Sequence, residues 1–220
     1  MTVRDGPYLR GGRIHEVVAG EAGDASARVF AARIAGNRDG VCLWIAGGRM
    51  PPLCPHGLSG LVDPGALILV EVGTPLDGLW TAEEGLRSGA VGMVVLESER
   101  PLDLLQSRRL QLAAEAGGTT GLFLGPDSGN TAAETRWQCR ALPSADANTI
   151  RFDWRQVKNR RGRSINWKAL RDETTGRMRM DAPSGGGAGA EECAGSGSAL
   201  RGGGGGRRKL DALLAEHGGA

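Results

Sequence analysis

The stretch from Gly12 to Ile34 restricts the fold of this chain most, because it has the pattern of a strand, a tight turn and a helix. Ile14–Val18 is short and rich in β-branched residues, which is typical of a buried strand. Gly20 and Gly23 supply the turn, and the apolar residues that follow recur at helical spacing. This layout indicates a phosphate-binding loop, in which backbone N–H groups at a helix N-terminus hold phosphate.

The loop does not carry the residues that nucleotide chemistry requires. An active loop reads G-x-x-x-x-G-K-[ST], in which Lys contacts the terminal phosphates and the hydroxyl binds Mg²⁺. Here Ala19 and Asp24 occupy the two glycine positions, Ala25 occupies the Lys position, and only Ser26 matches. Asp24 would also place a carboxylate against phosphate. The sequence therefore predicts a degenerate loop, no bound cofactor and no catalytic residue.

Charge, hydropathy and cysteine spacing exclude several other classes. A formal net charge of +2 over 220 residues does not support a broad nucleic-acid-binding surface, although local patches remain open. No apolar run is long enough to span a membrane and the N-terminus is polar, so we expect a cytoplasmic protein without a membrane partner. Cys42, Cys54, Cys139 and Cys193 lack metal-ligand spacing, so we expect no metal site and interpret the first three as reduced structural thiols.

Strands and helices alternate as far as residue 125. Apolar, β-branched runs predict strands at Val41–Ile45, Leu67–Val72, Val91–Glu97 and Thr119–Leu124. Two helices are predicted between these strands. The first ends at Ser88–Gly89 and has four apolar residues near one face: Leu76, Leu79, Trp80 and Leu86. The second ends at Gly117–Gly118 and is marked by Leu110, Ala113 and Ala114. This alternation predicts an α/β fold with a mostly parallel central sheet and flanking helices.

The pattern changes after Gly125. Alternation in Glu134–Leu142 places Thr135, Trp137, Cys139 and Ala141 on one face, and further strands are predicted at Phe152–Val157, Ser164–Leu170 and Arg177–Met180. Short turns between alternating strands predict an antiparallel extension at one edge of the sheet.

The end of the chain has a different composition. We assign residues 1–181 to one domain and residues 182–220 to a Gly-rich disordered tail, which cannot bury enough apolar surface to order itself. The tail ends in a short amphipathic segment with Leu210, Leu213 and Leu214 on one stripe. A helix this short needs a partner to form, so these leucines are candidate docking residues.

Together these residues resemble the RecA superfamily and, more closely, the ImuA family, the RecA-like and often SulA-like members of the bacterial ImuA–ImuB mutagenesis cassette. The resemblance lies in an ordered series of short motifs and covers roughly Gly12 to Leu170. The motifs are GRIHEV (Gly12–Val17), LWI (Leu43–Ile45), LWTAEEGLRSGA (Leu79–Ala90), LDLLQSRRLQLAAE (Leu102–Glu115) and TRW (Thr135–Trp137).

The resemblance implies roles for a few positions. The Walker B acid falls on Glu97, for which a capping or solvated carboxylate is favoured over a Mg²⁺ ligand. The water-activating acid would follow Leu43–Ile45, where the chain has Ala46, Gly47 and Gly48. The stretch Val157–Gly162 (VKNRRG) resembles a RecA segment whose lysines reach a neighbouring subunit's nucleotide.

The strongest local charge is a basic run around that segment, which consists of Arg155, Lys158, Arg160, Arg161, Arg163 and Lys168. Its candidate contacts with a partner or with DNA are Lys158, Arg160, Arg161 and Arg163. A solvated hairpin and a binding surface remain equal alternatives. Because like charges repel, we expect Arg160 and Arg161 to contribute nothing to folding.

The resemblance implies a non-catalytic RecA-fold adaptor in SOS-induced, error-prone translesion DNA synthesis. Its partners would be ImuB, an error-prone polymerase III alpha-type subunit and, as a further candidate, RecA, with DNA reached through the complex. Two alternatives remain open: a weak DNA-dependent ATPase of the RecA type in DNA repair, and a cell-division inhibitor of the SulA type.

Overall fold

As far as residue 125, strands and helices follow the order that the sequence predicts, except for a short additional helix at Pro55–Leu58. The computed structural model of the chain describes residues 6–18, 24–47, 52–181 and 183–185. In chain order the elements are β1 (Ile14–Val18), α1 (Ser26–Gly36), β2 (Cys42–Gly47), α2 (Pro55–Leu58), β3 (Leu67–Val72), α3 (Pro75–Ser88), β4 (Met93–Glu97), α4 (Leu104–Gly117), β5 (Thr120–Gly125), β6 (Thr135–Leu142), β7 (Thr149–Asn159), β8 (Ile165–Asp172), β9 (Met178–Met180) and β10 (Ser184–Gly185).

The ten strands of the described ranges form one mixed sheet in the order β10–β8–β7–β6–β1–β5–β4–β2–β3, with β9 also beside β8. The six strands from β3 to β6 along this order are parallel to one another. Strands β7 to β10 continue the sheet in antiparallel pairs. The predicted α/β sheet with an antiparallel extension is therefore confirmed, with one correction. Strand β6, which we assigned to the extension, is parallel to β1 because a crossover loop brings it back to the same direction.

Each face of the sheet carries its own core. Helix α1 covers one face through Ala27, Phe30 and Ile34, as its spacing predicts. The Phe30 ring lies 5.3 Å from the Trp137 ring and 5.0 Å from the Trp154 ring, in tilted and edge-on geometry respectively. Helices α3 and α4 pack side by side over the other face, on apolar residues of β1, β2, β4 and β5.

The ends of α3 and α4 follow from their capping residues. The Thr74 side chain accepts the Asp77 backbone N–H at the start of α3, and Asp103 forms a capping box with Gln106 at the start of α4. Both helices stop at a glycine in the left-handed conformation, Gly89 with φ of 64° and Gly118 with φ of 68°. The predicted helix ends are confirmed.

The predicted buried face of α3 is partly wrong. Leu76 and Trp80 are 71% and 63% exposed, and α3 instead buries a stripe that includes Gly78, Ala82 and Leu86. The helix approaches the sheet closely along this stripe, because a Cβ at Gly78 would lie 3.3 Å from a Leu96 methyl carbon. Small residues, rather than the large apolar ones, therefore mark the contact face.

The antiparallel extension is longer and less regular than predicted. Strand β7 runs from Thr149 to Asn159, and a β-bulge interrupts its pairing with β6 between Arg136 and Trp137. Ala141, predicted to face the core, is exposed because this end of β6 extends beyond the core under α1.

Several predicted features lie outside the described residues. These are the loop residues Ala19, Gly20 and Gly23, the cysteine Cys193, and the tail leucines Leu210, Leu213 and Leu214. The domain boundary at residue 181 remains a prediction, although Ser184–Gly185 still pairs with β8 and so continues the sheet into the predicted tail. Within the described ranges, no helix is long and apolar enough to cross a membrane.

Candidate functional site

The candidate site lies at the edge where the parallel strands end. Strands β1, β5 and β4 are neighbours and run in the same direction, so the end of β1 at Val18 and the end of β4 at Glu97 lie at one edge of the sheet. Ligands of open α/β sheets bind in the crevice outside such carboxyl ends. Asp24, Ala25 and Ser26 are the described residues of the degenerate loop, and they lead directly into α1.

Asp24 occupies the N-terminus of α1 with its own carboxylate. Its Oδ1 accepts the Ser26 backbone N–H at 2.8 Å and the Ser26 hydroxyl at 2.5 Å. A carboxylate is favourable here because the first N–H groups of a helix are unpaired and carry a partial positive charge. In an active loop the same backbone N–H would donate to phosphate, and the oxygen of the same hydroxyl would bind Mg²⁺.

Glu97 is buried and fully partnered, so the expected capping or solvated carboxylate is wrong. Arg28, on the first turn of α1, donates to Oε2 of Glu97 from Nε at 3.1 Å and from Nη2 at 2.7 Å. Trp44 on β2 donates from Nε1 to the other oxygen, Oε1, at 2.8 Å. The site has this form because β2 and β4 pair side by side and α1 covers the same face. A buried carboxylate requires such partners to offset the loss of hydration.

The two contacts have a shared chemical consequence. A phosphate at the start of α1 would have to displace the Asp24 carboxylate, and a Mg²⁺ ion at Glu97 would have to displace the Arg28 guanidinium. In this crevice the Asp24 carboxylate therefore lies where a phosphate would bind, and the Arg28 guanidinium lies where a metal ion would bind. No group of three or more His, Cys, Asp and Glu side chains that could hold a metal occurs in the described part of the chain.

The basic run contacts a loop, so Arg160 and Arg161 have partners that the argument from like charges did not include. Lys158 Nζ and Arg160 Nη2 both donate to the Thr131 carbonyl, at 3.0 Å and 2.8 Å. Arg161 pairs with Glu134 at 3.3 Å. Burial, together with the nearby guanidiniums of the cluster, lowers the pKa of Lys158. Arg163 is exposed and forms no ion pair in the described residues.

A buried ion pair that sequence reasoning missed lies beneath the same loop. Arg136 on β6 donates from Nε to Glu16 Oε2 on β1 at 2.7 Å, and its Nη2 donates to the Gly129 carbonyl. Its Nη1 lies 2.8 Å from Asp127 Oδ1. The sequence signal was present, because both residues lie in motifs of the family resemblance and parallel pairing places them side by side. Trp44 also lies in one of these motifs, but strand pairing places it opposite Val95 rather than Glu97, and Arg28 lies outside the motifs.

A second surface adjoins the candidate site. A groove of about 590 Å³ opens beside Glu97, between the ends of β2 to β4 and the first turns of α3 and α4. Nearby, the elements β3, α3 and α4 carry seven of the nine large hydrophobic side chains that are exposed in the described chain. We call these seven the apolar surface: Ile68, Leu69, Leu76, Trp80, Leu104, Leu105 and Leu112. Exposed apolar side chains concentrated in one region mark interaction sites.

Two of the three described cysteines fit the predicted structural role. The three described cysteines are free, with Cys42 and Cys139 buried and Cys54 exposed. Burial raises the pKa of Cys42 to about 12 and that of Cys139 well above its ordinary value. The two buried thiols are therefore protonated and poorly nucleophilic.

Comparison with known proteins does not assign the chain to a family. No protein-family model matches the sequence, and no curated protein matches it significantly.

Proposed function

We propose that this chain is a non-catalytic RecA-like adaptor in SOS-induced, error-prone translesion DNA synthesis. The motif series that resembles the ImuA family supports the biological role. The arrangement of the sheet supports the RecA-like part, because the end of β1, the acid at the end of β4 and the first turn of helix α1 lie at one edge.

One observation carries the non-catalytic part of the proposal. The crevice is filled by charges of the chain itself, since Asp24 holds the donors at the start of α1 and Arg28 holds Glu97. Binding of a metal–nucleotide complex would have to break both contacts and exchange the Arg28 guanidinium at Glu97 for the metal ion. The free energy of the two internal contacts therefore opposes nucleotide binding.

An adaptor also needs surfaces for its partners. The partners that we propose are ImuB, an error-prone polymerase III alpha-type subunit and RecA. The apolar surface on β3, α3 and α4 supports a docking role, because it leaves Leu76 and Trp80 in water next to a groove. Helix α3 exposes these two large side chains to solvent, whereas it contacts the sheet through Gly78 and Ala82.

Titration calorimetry with Mg-ATP tests the non-catalytic part. We expect no measurable binding by the wild-type chain, and no ATP turnover by Ala25→Lys. Restoring the lysine leaves Asp24 on the helix N-terminus and leaves glycine at the end of β2, where a water-activating acid would follow. Binding of Mg-ATP in the micromolar range, which corresponds to about −8 kcal/mol, would contradict the proposal and favour the ATPase alternative.

A further inference from the structure

The antiparallel extension has one face against the core and one face towards solvent. Phe152, Trp154 and Ala169 lie in the core under α1. Because successive side chains of a strand alternate between faces, Arg151 and Arg155 on β7 and Lys168 on β8 point to the opposite side. All three are exposed.

The pairing register gathers basic residues from four strands on this outer side. Arg140 on β6 lies opposite Asp153 on β7, which lies opposite Lys168 on β8. Arg151 lies opposite Leu170, which lies opposite Arg179 on β9. We call the following five exposed residues the basic face: Arg140, Arg151, Arg155, Lys168 and Arg179.

The acids on this face leave the cations in excess. Asp153 is buried and its Oδ2 accepts from Arg155 at 2.8 Å and from Arg140 at 3.1 Å, so it fixes two guanidiniums in place. Asp172, at one end of the face, accepts the Thr175 backbone N–H, and Asp181 lies across from Lys168 without an ion pair to it. Five cations therefore stand against three acids.

Several cationic groups remain available to a ligand. Arg151, Lys168 and Arg179 form no ion pair within the described ranges of the chain. Arg140 and Arg155 contact Asp153 with only some of their N–H groups, and a guanidinium has five N–H donors. Four of the five cations are arginines, whose planar fork matches phosphate oxygens.

The dimensions and chemistry of the face indicate the kind of ligand. Strands lie about 4.8 Å apart and alternate residues about 6.8 Å apart, so the five charges occupy a patch roughly 14 Å on a side. The outward positions of the described strands carry no aromatic side chain, whereas single-stranded nucleic acids are bound largely by stacking on aromatic side chains. A duplex keeps its bases inside and presents phosphates, which is what this face can contact.

We propose that the basic face binds the phosphate backbone of duplex DNA directly and without sequence preference. This goes beyond the proposed adaptor role, in which DNA is reached through the complex. It also differs from the sequence-based candidates, because Lys158, Arg160 and Arg161 are engaged with the loop and with Glu134.

Fluorescence anisotropy with a labelled DNA duplex and the full chain tests the proposal. The variant Arg151→Gln, Lys168→Gln, Arg179→Gln should bind at least about tenfold more weakly at low salt. Its slope of log affinity against log salt should fall by about 2 to 3, since each lost phosphate contact removes about 0.9. The three side chains are exposed and unpaired, so we expect an unchanged melting temperature.

A matched control keeps the same change in net charge. The variant Arg10→Gln, Arg100→Gln, Arg108→Gln also removes three exposed arginines, all outside the basic face, and should keep the wild-type affinity and salt slope. Equal losses in both triple variants would mean that only overall charge matters and would overturn the proposal, as would a wild-type chain that does not bind the duplex.

Competition separates the ligand classes. Unlabelled duplex DNA should displace the probe more effectively than single-stranded DNA, duplex RNA or polyglutamate at equal charge concentration. Equal or better displacement by polyglutamate would overturn the proposal in favour of an acidic protein partner. Better displacement by single-stranded DNA or by duplex RNA would overturn the choice of duplex DNA.

Discussion

At the scale of the residue, the hydrogen bonds and the burial of His15 determine the protonation state of its imidazole. Its ring is buried between β1 and β6, with Nδ1 2.8 Å from Thr135 Oγ1 and Nε2 3.2 Å from the Arg10 carbonyl. A carbonyl can only accept, so Nε2 carries the proton and Nδ1 accepts from the Thr135 hydroxyl. Trp137 Nε1 donates to the same hydroxyl oxygen at 3.0 Å. This network holds a neutral imidazole, and burial lowers the His15 pKa to about 4.

The lowered pKa predicts a loss of stability in acid. In the unfolded chain His15 titrates near its ordinary pKa of about 6.5, so between that pH and about 4 the unfolded state binds a proton that the folded state does not. The free energy of unfolding should therefore fall over this window, by on the order of 3 kcal/mol in total. Urea denaturation across the window measures this fall.

The control separates His15 from the carboxylates, which also titrate in acid. The variant His15→Gln should lose most of this pH dependence, whereas His56→Gln, which changes an exposed histidine, should keep it. A pH dependence of His15→Gln equal to that of the wild type would show that other groups cause the acid effect.

Residue-level prediction from sequence succeeded where the neighbours along the chain decide the outcome. Asp24 and Ser26 are two positions apart in the sequence, and the predicted conflict between the Asp24 carboxylate and phosphate corresponds to a real contact at the start of α1. The environment of Glu97 could not be predicted in this way. Arg28 and Trp44 lie 69 and 53 residues away from Glu97 along the chain, and only the folded sheet brings them together.

At the scale of elements, the loop between β5 and β6 depends on the hairpin between β7 and β8. Lys158 and Arg160 hold the Thr131 carbonyl, and Arg161 holds Glu134 at the end of the loop. The two carbonyl contacts join residues 27 and 29 positions apart along the chain, and they add to the contacts that Arg136 makes with Asp127 and Gly129. The basic hairpin is therefore a clamp on a neighbouring loop.

The clamp can be tested by removing its charges. Lys158→Met with Arg160→Met should lower the free energy of unfolding by about 1 to 3 kcal/mol, because both carbonyl contacts have a charged donor. Hydrogen exchange should show faster exchange in residues 126–134. Arg163→Met, which removes an unpaired charge from the same hairpin, serves as the control and should change neither quantity. Unchanged exchange in the double variant would mean that the loop is held by other contacts.

Periodicity predicted the elements better than their contacts. The strands β1 and β3 have the predicted bounds, because short apolar runs between glycines and loops define them clearly. The packing face of α3 was wrong because large apolar residues were taken as the buried ones, whereas Gly78 and Ala82 allow the close approach to the sheet. The direction of β6 depended on the path of the loop before it, which alternation does not reveal.

At the scale of the molecule, the net charge of +2 includes two regions whose charges have opposite signs. Residues 67–117, from β3 to α4, carry eight acidic and four basic side chains, a net charge of −4. Residues 149–181, from β7 to β9, carry ten basic and four acidic side chains, a net charge of +6. Strands β3 and β8 lie near opposite edges of the sheet. The total charge therefore gave no sign of the basic face, and the apolar surface lies at the acidic end.

This separation predicts that partner docking and DNA binding can be lost independently. If the apolar surface docks ImuB, Leu76→Asp with Trp80→Asp should abolish co-purification with ImuB, because both side chains are exposed and a buried charge at an interface is costly. The same variant should keep the wild-type affinity for duplex DNA and its melting temperature.

Two controls complete the test. Val157→Asp replaces an exposed hydrophobic residue of the opposite end and should still co-purify with ImuB. The Arg151→Gln, Lys168→Gln, Arg179→Gln variant should also co-purify, while losing duplex DNA. Because the acidic end favours a partner with basic residues around its apolar contacts, added salt should weaken the ImuB complex moderately without abolishing it. If the Leu76 and Trp80 double variant co-purifies fully with ImuB, the docking surface lies elsewhere. If this variant loses ImuB and duplex DNA together, the two regions do not act separately.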